Sequence, residues 1–387
     1  MKLNNEQKKF ATDLNGIHLV HAGPGTGKTE TIKERYLEII RRGLAMPSEI
    51  LLATFTNNAA ETMKQRIINS LSFDEKFKGS SILSEIVNAP ICTFHSFCSD
   101  LIKNYGFNVP GYLGINEIIS DVFTVLEDKT IEYFYFQRFT DTFMQSYKNY
   151  EKYFVPYGSK ENLLNLIKKL ACKGIFPIKK HGKRLWFGEG LKNLTGNFEL
   201  FKTKLARAYL KNGSSSPVKK MTGYYNSHCY YEDLELFSIV KGASLNEKMV
   251  EKAFFETRDE LFSFIHTLYW NYIKFLLSRN LMNFEFMVLF SYVLLLNNHK
   301  LRKDFQFEFI MIDEFQDTNE MQFKISMLLS KNGNLCAIGD WKQGIYSFRF
   351  ATIDNILNFR ERISPVSYTH LRAHETSLHL VCRLLLE

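Results

Sequence analysis

The chain has 387 residues and a formal charge of +8, from 49 Lys and Arg against 41 Asp and Glu. Its 45% apolar and 23% charged residues are typical of a globular protein, and they exclude a disordered or fibrous chain. The positive excess suits a polyanionic partner without requiring one.

The cysteines and the hydropathy of the chain indicate the cellular compartment in which it is expected to function. The six cysteines form no C-x-x-C pair, which argues against a disulfide framework or a zinc site and indicates a reducing, cytoplasmic location. The first residues are polar, and the longest apolar stretch, Phe286 to Leu296, is about half of the ~20 residues that cross a bilayer. We therefore expect a buried helix there and no membrane partner.

Five short β-type runs are each followed by turn or helix signals. They are GIHLVHA (16–22), EILLATF (49–55), PICTF (90–94), FEFIMID (307–313) and LCAIGD (335–340). Continuous apolar strands that alternate with helical patterns predict an α/β fold with a parallel sheet covered on both faces. Between about 106 and 300 the β-type runs give way to Lys- and Phe-rich helical patterns, such as 247–277, with a flexible loop predicted at 211–220. The sequence thus predicts a large, mainly helical insertion.

The first run leads into a glycine-rich turn, HLVHAGPGTGKTETI (18–32). Glycines let the backbone turn successive N–H groups toward one point, and the N-terminus of the following helix favours a phosphate there. Lys28 adds a charge for the outer phosphates, and the Thr29 hydroxyl can bind Mg²⁺. This is the P-loop pattern G-x-x-x-x-G-K-[ST] with an alanine in the first glycine position, so the predicted nucleotide-binding residues are Ala22, Gly23, Pro24, Gly25, Thr26, Gly27, Lys28 and Thr29.

A second segment, FIMIDEFQDTNEMQ (309–322), supplies acids. Its strand delivers Asp313 and Glu314 at the carboxyl end, where ligands bind in open α/β sheets. Asp313 is predicted to bind Mg²⁺ through water, and Glu314 to orient and deprotonate the attacking water. We expect ATP and Mg²⁺ as the ligands.

The order of these segments resembles the UvrD/Rep family of DNA helicases, closely over roughly 1–105 and 283–360 and loosely or not at all in the insertion. LNNEQKKF (3–10), AGPGTGKT (22–29), LLATFTNNAAETMKQRI (51–67), CTFHSFC (92–98), MIDEFQDTN (311–319) and IGDWKQGIYSFR (338–349) look like its motifs Q, I, Ia, Ib, II and III. The resemblance implies a RecA-like P-loop NTPase fold, an adenine contact for Gln7 and a γ-phosphate sensor, hence a catalytic role, for Gln343. It also implies single-stranded DNA contacts for Phe55, Thr56, Asn57, Thr93, His95, Tyr346, Phe348 and Arg349.

By this resemblance the chain is the ATP-binding half of an ATP-dependent 3′-to-5′ DNA helicase or translocase, acting on single strands and duplex junctions in repair or recombination. Residues 1–105 and 283–364 are expected to form the discontinuous ATP-binding domain, and 106–282 the insert. Two alternatives stay open: the helicase arm of a helicase-nuclease, with a nuclease partner, and a nucleotide-dependent DNA-binding module without strand separation.

The sequence departs from the family in three places. Glu30 stands where an arginine is common, and Phe350 where a glycine is usual. After residue 364 the family continues into motif IV and a second RecA-like domain, whereas residues 365–387 resemble nothing in it. We expect this tail to be foreign or disordered, and hydrolysis by the chain alone to be impaired because the second domain supplies transition-state arginines.

The basic run IKKLACKGIFPIKKHGKRLW (167–186) permits two interpretations. Its seven cations surround two aromatic residues and could follow a phosphate backbone. A solvated helix face explains the same pattern equally well.

Overall fold

A computed structural model of the protein describes residues 3–108, 118–119, 122–154, 160–188, 247–340 and 366–371. The helices are α1 (Asn5–Thr12), α2 (Lys28–Arg41), α3 (Asn57–Ser72), α4 (Ser81–Val87), α5 (Phe94–Tyr105), α6 (Lys129–Ser146), α7 (Lys160–Cys172), α8 (Glu247–Leu277), α9 (Phe284–Asn297), α10 (His299–Asp304) and α11 (Glu320–Leu329). The strands are β1 (Ile17–Ala22), β2 (Ile50–Thr54), β3 (Ile91–Thr93), β4 (Phe107–Asn108), β5 (Ile118–Ile119), β6 (Thr124–Val125), β7 (Phe176–Lys180), β8 (Lys183–Phe187), β9 (Leu281–Met282), β10 (Phe309–Ile312), β11 (Leu335–Gly339) and β12 (Val366–Leu371).

The chain divides into two compact units. One contains Met1–Ile102 and Phe290–Glu387, and the other contains Lys103–Leu289. The sequence places the domain boundaries after residues 105 and 282, whereas these units divide after residues 102 and 289; the assignment of an ATP-binding domain and an insert stays a prediction. The predicted loop at 211–220 lies outside the described residues.

The first unit is built on a six-stranded sheet in the order β12-β1-β11-β10-β2-β3, and every neighbouring pair is parallel. All five predicted strands are therefore confirmed, and the fold is α/β. Every residue of β2, β10 and β11 is buried. Parallel strands covered on both faces need continuous apolar runs, and these three sequences have them.

The strand order decides where the functional segments meet. In a parallel sheet all carboxyl ends point to the same edge, so the loops after β1, β10 and β11 share that edge. Strand β11 lies between β1 and β10, which places Asp340, the residue after Gly339, between the glycine-rich turn and the acidic pair.

The second unit contains the predicted helix over 247–277, with the same bounds, but it is not exclusively helical. Within the basic run, helix α7 ends at Cys172, and β7 and β8 form an antiparallel hairpin. The hairpin closes through His181 and Gly182, whose φ angles of 50° and 74° are those of a two-residue turn that matches strand twist. The interpretation of this run as one helix face is therefore wrong.

The apolar stretch from Phe286 to Leu296 forms most of α9 and is largely buried, as predicted. No helix within the described ranges is long and apolar enough to cross a membrane.

A buried ion cluster in the second unit joins α6, α7 and the start of α9. The Lys168 ammonium lies 2.7 Å from a Glu132 oxygen and 3.3 Å from a Glu285 oxygen, and Asn283 donates to the other Glu132 oxygen at 2.8 Å. Burial lowers the pKa of Lys168, but attraction to Glu285 and Glu132 outweighs it and raises the pKa overall. Burial raises the pKa of Glu285. The charges of Glu132 and Glu285 are therefore both compensated by Lys168.

We predict that Lys168→Met destabilises this unit by about 3–5 kcal/mol, because it leaves two buried carboxylates without their cation. Thermal melting followed by circular dichroism measures the change. The matched control is Lys148→Met at an exposed lysine of the same unit, expected to stay within about 0.5 kcal/mol. Equal melting temperatures for the two variants would contradict this account of the cluster.

The end of the chain differs from expectation. Val366–Leu371 forms β12, which pairs along β1 from Ile17 to Ala22 at the edge of the sheet, so this part of the tail is ordered. An open sheet edge offers unpaired N–H and C=O groups to any extended segment. Backbone pairing of this kind does not depend on particular side chains, so a motif is not needed to form it.

We predict that deleting residues 365–387 lowers the melting temperature by several degrees, because the backbone of β1 loses its edge partner. Deleting only residues 372–387, which retains β12, is the control and is expected to melt as the full chain does. If both truncations melt together, β12 contributes nothing to stability.

Candidate nucleotide site and nucleic-acid interface

The glycine-rich turn forms a closed loop between β1 and α2. Gly25 and Gly27 have φ angles of 69° and 73°, which favour glycine. Thr26 closes the loop, because its hydroxyl donates to the Gly23 carbonyl at 2.8 Å. Helix α2 begins directly afterwards at Lys28, so its unsatisfied N–H groups face the loop. The backbone is thus arranged to bind an anion.

Gln7 supports this loop from α1. Its amide nitrogen donates to the Thr26 carbonyl at 2.7 Å, and its amide oxygen accepts the Asn4 N–H at 2.7 Å. A Cβ on Gly27 would lie 3.1 Å from the same amide nitrogen, which is a tight contact, and the positive φ of Gly27 favours glycine there. Gln7 is 2% exposed. Its predicted contact with adenine stays a prediction; in this structure Gln7 holds the loop.

Arg35 anchors the other end of α1. This buried guanidinium donates to the carbonyls of Phe10 and Asp13 and lies 4.6 Å from the centre of the Phe10 ring. Burial lowers the pKa of Arg35. Because the last carbonyls of a helix lack intrahelical partners, a cation is well placed there. Arg35 lies in an amphipathic helix, and its position there gives no functional signal in the sequence.

The acidic pair follows β10 at the same edge. Asp313 donates its N–H to the Ala53 carbonyl at 2.9 Å and accepts the Glu314 N–H at 3.0 Å. Burial and then the charge of Glu314 raise the pKa of Asp313 to about 6, against the opposing effects of the Glu314 N–H and Lys28. A cation beside these acids would relieve this electrostatic cost. Carboxylate and hydroxyl oxygens are the ligands that Mg²⁺ prefers, so the residues fit that ion.

Lys28 and Glu314 contact each other directly. The Lys28 ammonium lies 2.8 Å from a Glu314 oxygen, although the two residues are 286 positions apart in the sequence. Glu314 has φ 50° and ψ 49°, a left-handed conformation that costs a non-glycine residue about 1–2 kcal/mol. Such strain is typical of functional sites. The predicted phosphate-binding lysine and the predicted base therefore meet.

Two further residues complete the acidic side. The Gln316 amide donates to the same Glu314 oxygen at 2.7 Å, and its oxygen accepts the Asp340 N–H at 2.9 Å. The Asp340 carboxylate in turn lies 3.2 Å from the His21 ring. Sequence reasoning missed these roles, although Gln316 and Asp340 both lie inside quoted motifs. Only the adjacency of β10 and β11 brings them together.

The segments after β2 and β3 are joined by hydrogen bonds. The Thr93 hydroxyl lies 3.2 Å from the Asn57 side-chain oxygen, and the Ser96 hydroxyl lies 3.1 Å from the same atom. Thr56 caps α3 by accepting the Ala59 N–H at 3.1 Å. Three predicted DNA contacts, Thr56, Asn57 and Thr93, thus lie at neighbouring strand ends. Ser96 was not predicted, although its position three residues after Thr93 is typical of an N-terminal helix cap contact.

The remaining predicted residues are distributed as follows. Phe55 follows the last residue of β2 and His95 lies in the first turn of α5, and both are half-buried. Glu30, the departure from the family in α2, pairs with Lys33 at 2.7 Å. Outside the described residues lie Gln343, Tyr346, Phe348, Arg349 and Phe350. In the part of the chain that the structure describes, no three His, Cys, Asp or Glu side chains cluster as a metal site.

A phosphate-binding loop after the first strand of a parallel sheet, with a lysine that reaches an acidic pair on a nearby strand, defines the class of P-loop nucleotide-binding proteins. Comparison with known proteins specifies the class. The model of the UvrD/REP helicase N-terminal domain matches residues 3–364, and the chain belongs to this family.

Curated relatives of the chain include proteins that carry helicase names. The chain is 26% identical to DNA helicase II of Rickettsia typhi over 386 residues, 97% of this chain and 42% of the relative. It is 26% identical to a probable DNA helicase II homolog of Mycoplasma genitalium, over 90% of this chain and 37% of that protein. It is 28% identical to the RecBCD enzyme subunit RecB of Buchnera aphidicola, over 99% of this chain and 38% of RecB. The chain therefore spans about two fifths of the length of these relatives.

We predict that Lys28→Ala weakens the binding of a fluorescent ATP analogue with Mg²⁺ at least tenfold, because the loop loses its only side-chain charge for the phosphates. Lys33→Ala is the matched control. Lys33 lies in the same helix and pairs with Glu30 and Glu34, so its removal should leave nucleotide affinity within about twofold. Equal affinities of Lys28→Ala and the unmodified chain would exclude this loop as the nucleotide site.

Proposed function

We propose that this chain is the ATP-binding half of an ATP-dependent DNA helicase or translocase that moves 3′ to 5′ along single-stranded DNA in repair or recombination. The observation that carries the proposal is the contact between Lys28 and Glu314 at the edge where the P-loop and the acidic segment meet. The family membership of the chain and the names of its relatives support the same function.

In this proposal the P-loop N–H groups and Lys28 bind the phosphates, and Thr29 and Asp313 hold Mg²⁺, which neutralises phosphate charge when bound. Glu314 orients the attacking water and accepts its proton. In the structure Lys28 pairs with Glu314. The phosphates of an arriving nucleotide compete for Lys28, so Glu314 loses one of its two partners when the nucleotide binds. Gln7 contacts adenine, and Gln343 senses the γ-phosphate.

The nucleic-acid interface in this proposal runs across the carboxyl ends of β2, β3 and β11. Asn57 and Thr93 already share hydrogen bonds, so the two segments form one surface. Aromatic stacking holds single strands of any sequence, which is what a translocase needs. Phe348 and Tyr346 supply rings, and Arg349 a phosphate contact. Duplex junctions are the substrate at which strand separation begins.

A second candidate is the helicase arm of a helicase-nuclease. The similarity to a RecB subunit, which covers 99% of this chain, favours it. Both candidates use the same nucleotide site, and a nuclease partner distinguishes them.

We predict slow ATP turnover by the 387-residue chain alone, because transition-state arginines of the second domain contribute on the order of 10³–10⁵ in rate in comparable systems. Single-turnover hydrolysis of radiolabelled ATP, with Glu314→Gln as the inactive reference, measures the residual rate. Brisk DNA-stimulated turnover would show that the second domain is dispensable.

Binding to labelled oligo-dT, followed by fluorescence anisotropy, tests the DNA interface. We expect weak, salt-dependent binding, and a loss of about 1–3 kcal/mol for Phe55→Ala or Phe348→Ala if the ring stacks on a base. Phe73→Ala is the control, since Phe73 is 90% exposed and has no predicted DNA contact. Unchanged affinity in folded Phe55→Ala and Phe348→Ala variants would exclude stacking by these rings.

A further inference from the structure

Gln316 occupies a site that fits its side chain closely. The residue is 3% exposed and lies in a single turn of 3₁₀ helix, Phe315–Asp317, directly after the strained Glu314. Its amide oxygen accepts the Asp340 N–H, while its amide nitrogen donates to Glu314 at 2.7 Å and lies 3.4 Å from Asp317. Both ends of the amide are therefore engaged.

The backbone of β11 is shaped to admit this side chain. A Cβ added to Gly339 would lie 2.5 Å from the Gln316 side-chain oxygen, which is closer than real Cβ contacts. The φ angle of Gly339 is not in the left-handed region, so conformation does not explain the glycine. Space for the Gln316 amide does.

Glu314 has two partners at the same oxygen, and they differ in what nucleotide does to them. Lys28 belongs to the phosphate loop, so bound phosphates draw it away from Glu314. Gln316 belongs to the acidic segment itself and keeps its bond when Lys28 leaves. If Gln316 were absent, the departure of Lys28 would leave the Glu314 carboxylate with neither of its two described side-chain partners. This would happen at the stage where Glu314 must hold a water molecule.

We propose that Gln316 is a positioning residue that orients Glu314 once Lys28 has turned to the phosphates, and that ties this glutamate to the end of β11. This inference rests on the proposed function, in which Glu314 is the base. Asp340 directly precedes residues 341–349, where the predicted phosphate sensor and DNA contacts lie. A shift of Glu314 on nucleotide binding is therefore passed through one amide to the start of that segment.

The test compares four folded variants of the 387-residue chain by single-turnover hydrolysis and by affinity for a fluorescent ATP analogue. Gln316→Leu should lower the hydrolysis rate at least tenfold and leave the dissociation constant within twofold. In the Glu314→Gln background the same change should cost nothing further, because the positioned group is gone. The control Gln322→Leu removes another buried glutamine, which caps α11 through Asn319, and should lower stability but not the hydrolysis rate.

If Gln316→Leu does not melt cooperatively, the isosteric variant Gln316→Glu replaces it in the test. It keeps the acceptor for Asp340 but loses the donor to Glu314, so its hydrolysis rate should also fall at least tenfold.

Amide hydrogen exchange provides a readout that needs no turnover. A non-hydrolysable ATP analogue should change exchange in a peptide spanning residues 335–340 of the unmodified chain but not of the Gln316 variant. Unchanged hydrolysis in the Gln316 variant, or a nucleotide response in 335–340 that survives it, would overturn the inference while leaving the proposed function intact. Unchanged hydrolysis in Glu314→Gln would instead overturn the proposed base, and with it the proposed function of the site.

Discussion

The ion pair between Lys28 and Glu314 is the interaction on which the geometry of the site depends. It joins the first helix after the phosphate loop to the acidic segment 286 positions later, across β11, which lies between their strands. The pair can form only if β1 and β10 run in the same direction and end at the same edge. The parallel sheet is therefore the condition for the chemistry, and its buried apolar strands are what hold the two charges in place.

Two buried glutamines share one structural principle at this edge. Gln7 fills space beside Gly27 and binds the phosphate loop, whereas Gln316 fills space at Gly339 and binds Glu314. A primary amide suits both places, because it donates and accepts at once and carries no charge to desolvate. Each glycine admits the amide, and each amide connects elements distant in sequence. The loop and the acid thus each have a neutral amide as a partner, besides the ion pair that joins Lys28 to Glu314.

The second unit depends on different interactions. Its helices α6 and α7 and the start of α9 contribute Glu132, Lys168 and Glu285 to one buried cluster. The first lysine of the basic run is therefore engaged by two acids inside the unit and does not face a polyanion. Further along the run the chain turns back as the β7–β8 hairpin. The segment His181-Gly182 was the available signal for this turn, but the surrounding lysines matched a helix face equally well.

The sequence by itself determined the order and type of the core elements and the five parallel strands, and it singled out Lys28, Asp313 and Glu314 as candidate site residues. These features follow from local patterns, because burial on both faces dictates apolar runs and phosphate binding dictates glycines followed by lysine. Only the tertiary structure decided that Lys28 pairs with Glu314, that Gln316 links Glu314 to Asp340, and that Val366–Leu371 completes the sheet edge. Each of these depends on which strands lie side by side, and strand adjacency is set by packing between distant segments, which no local pattern encodes.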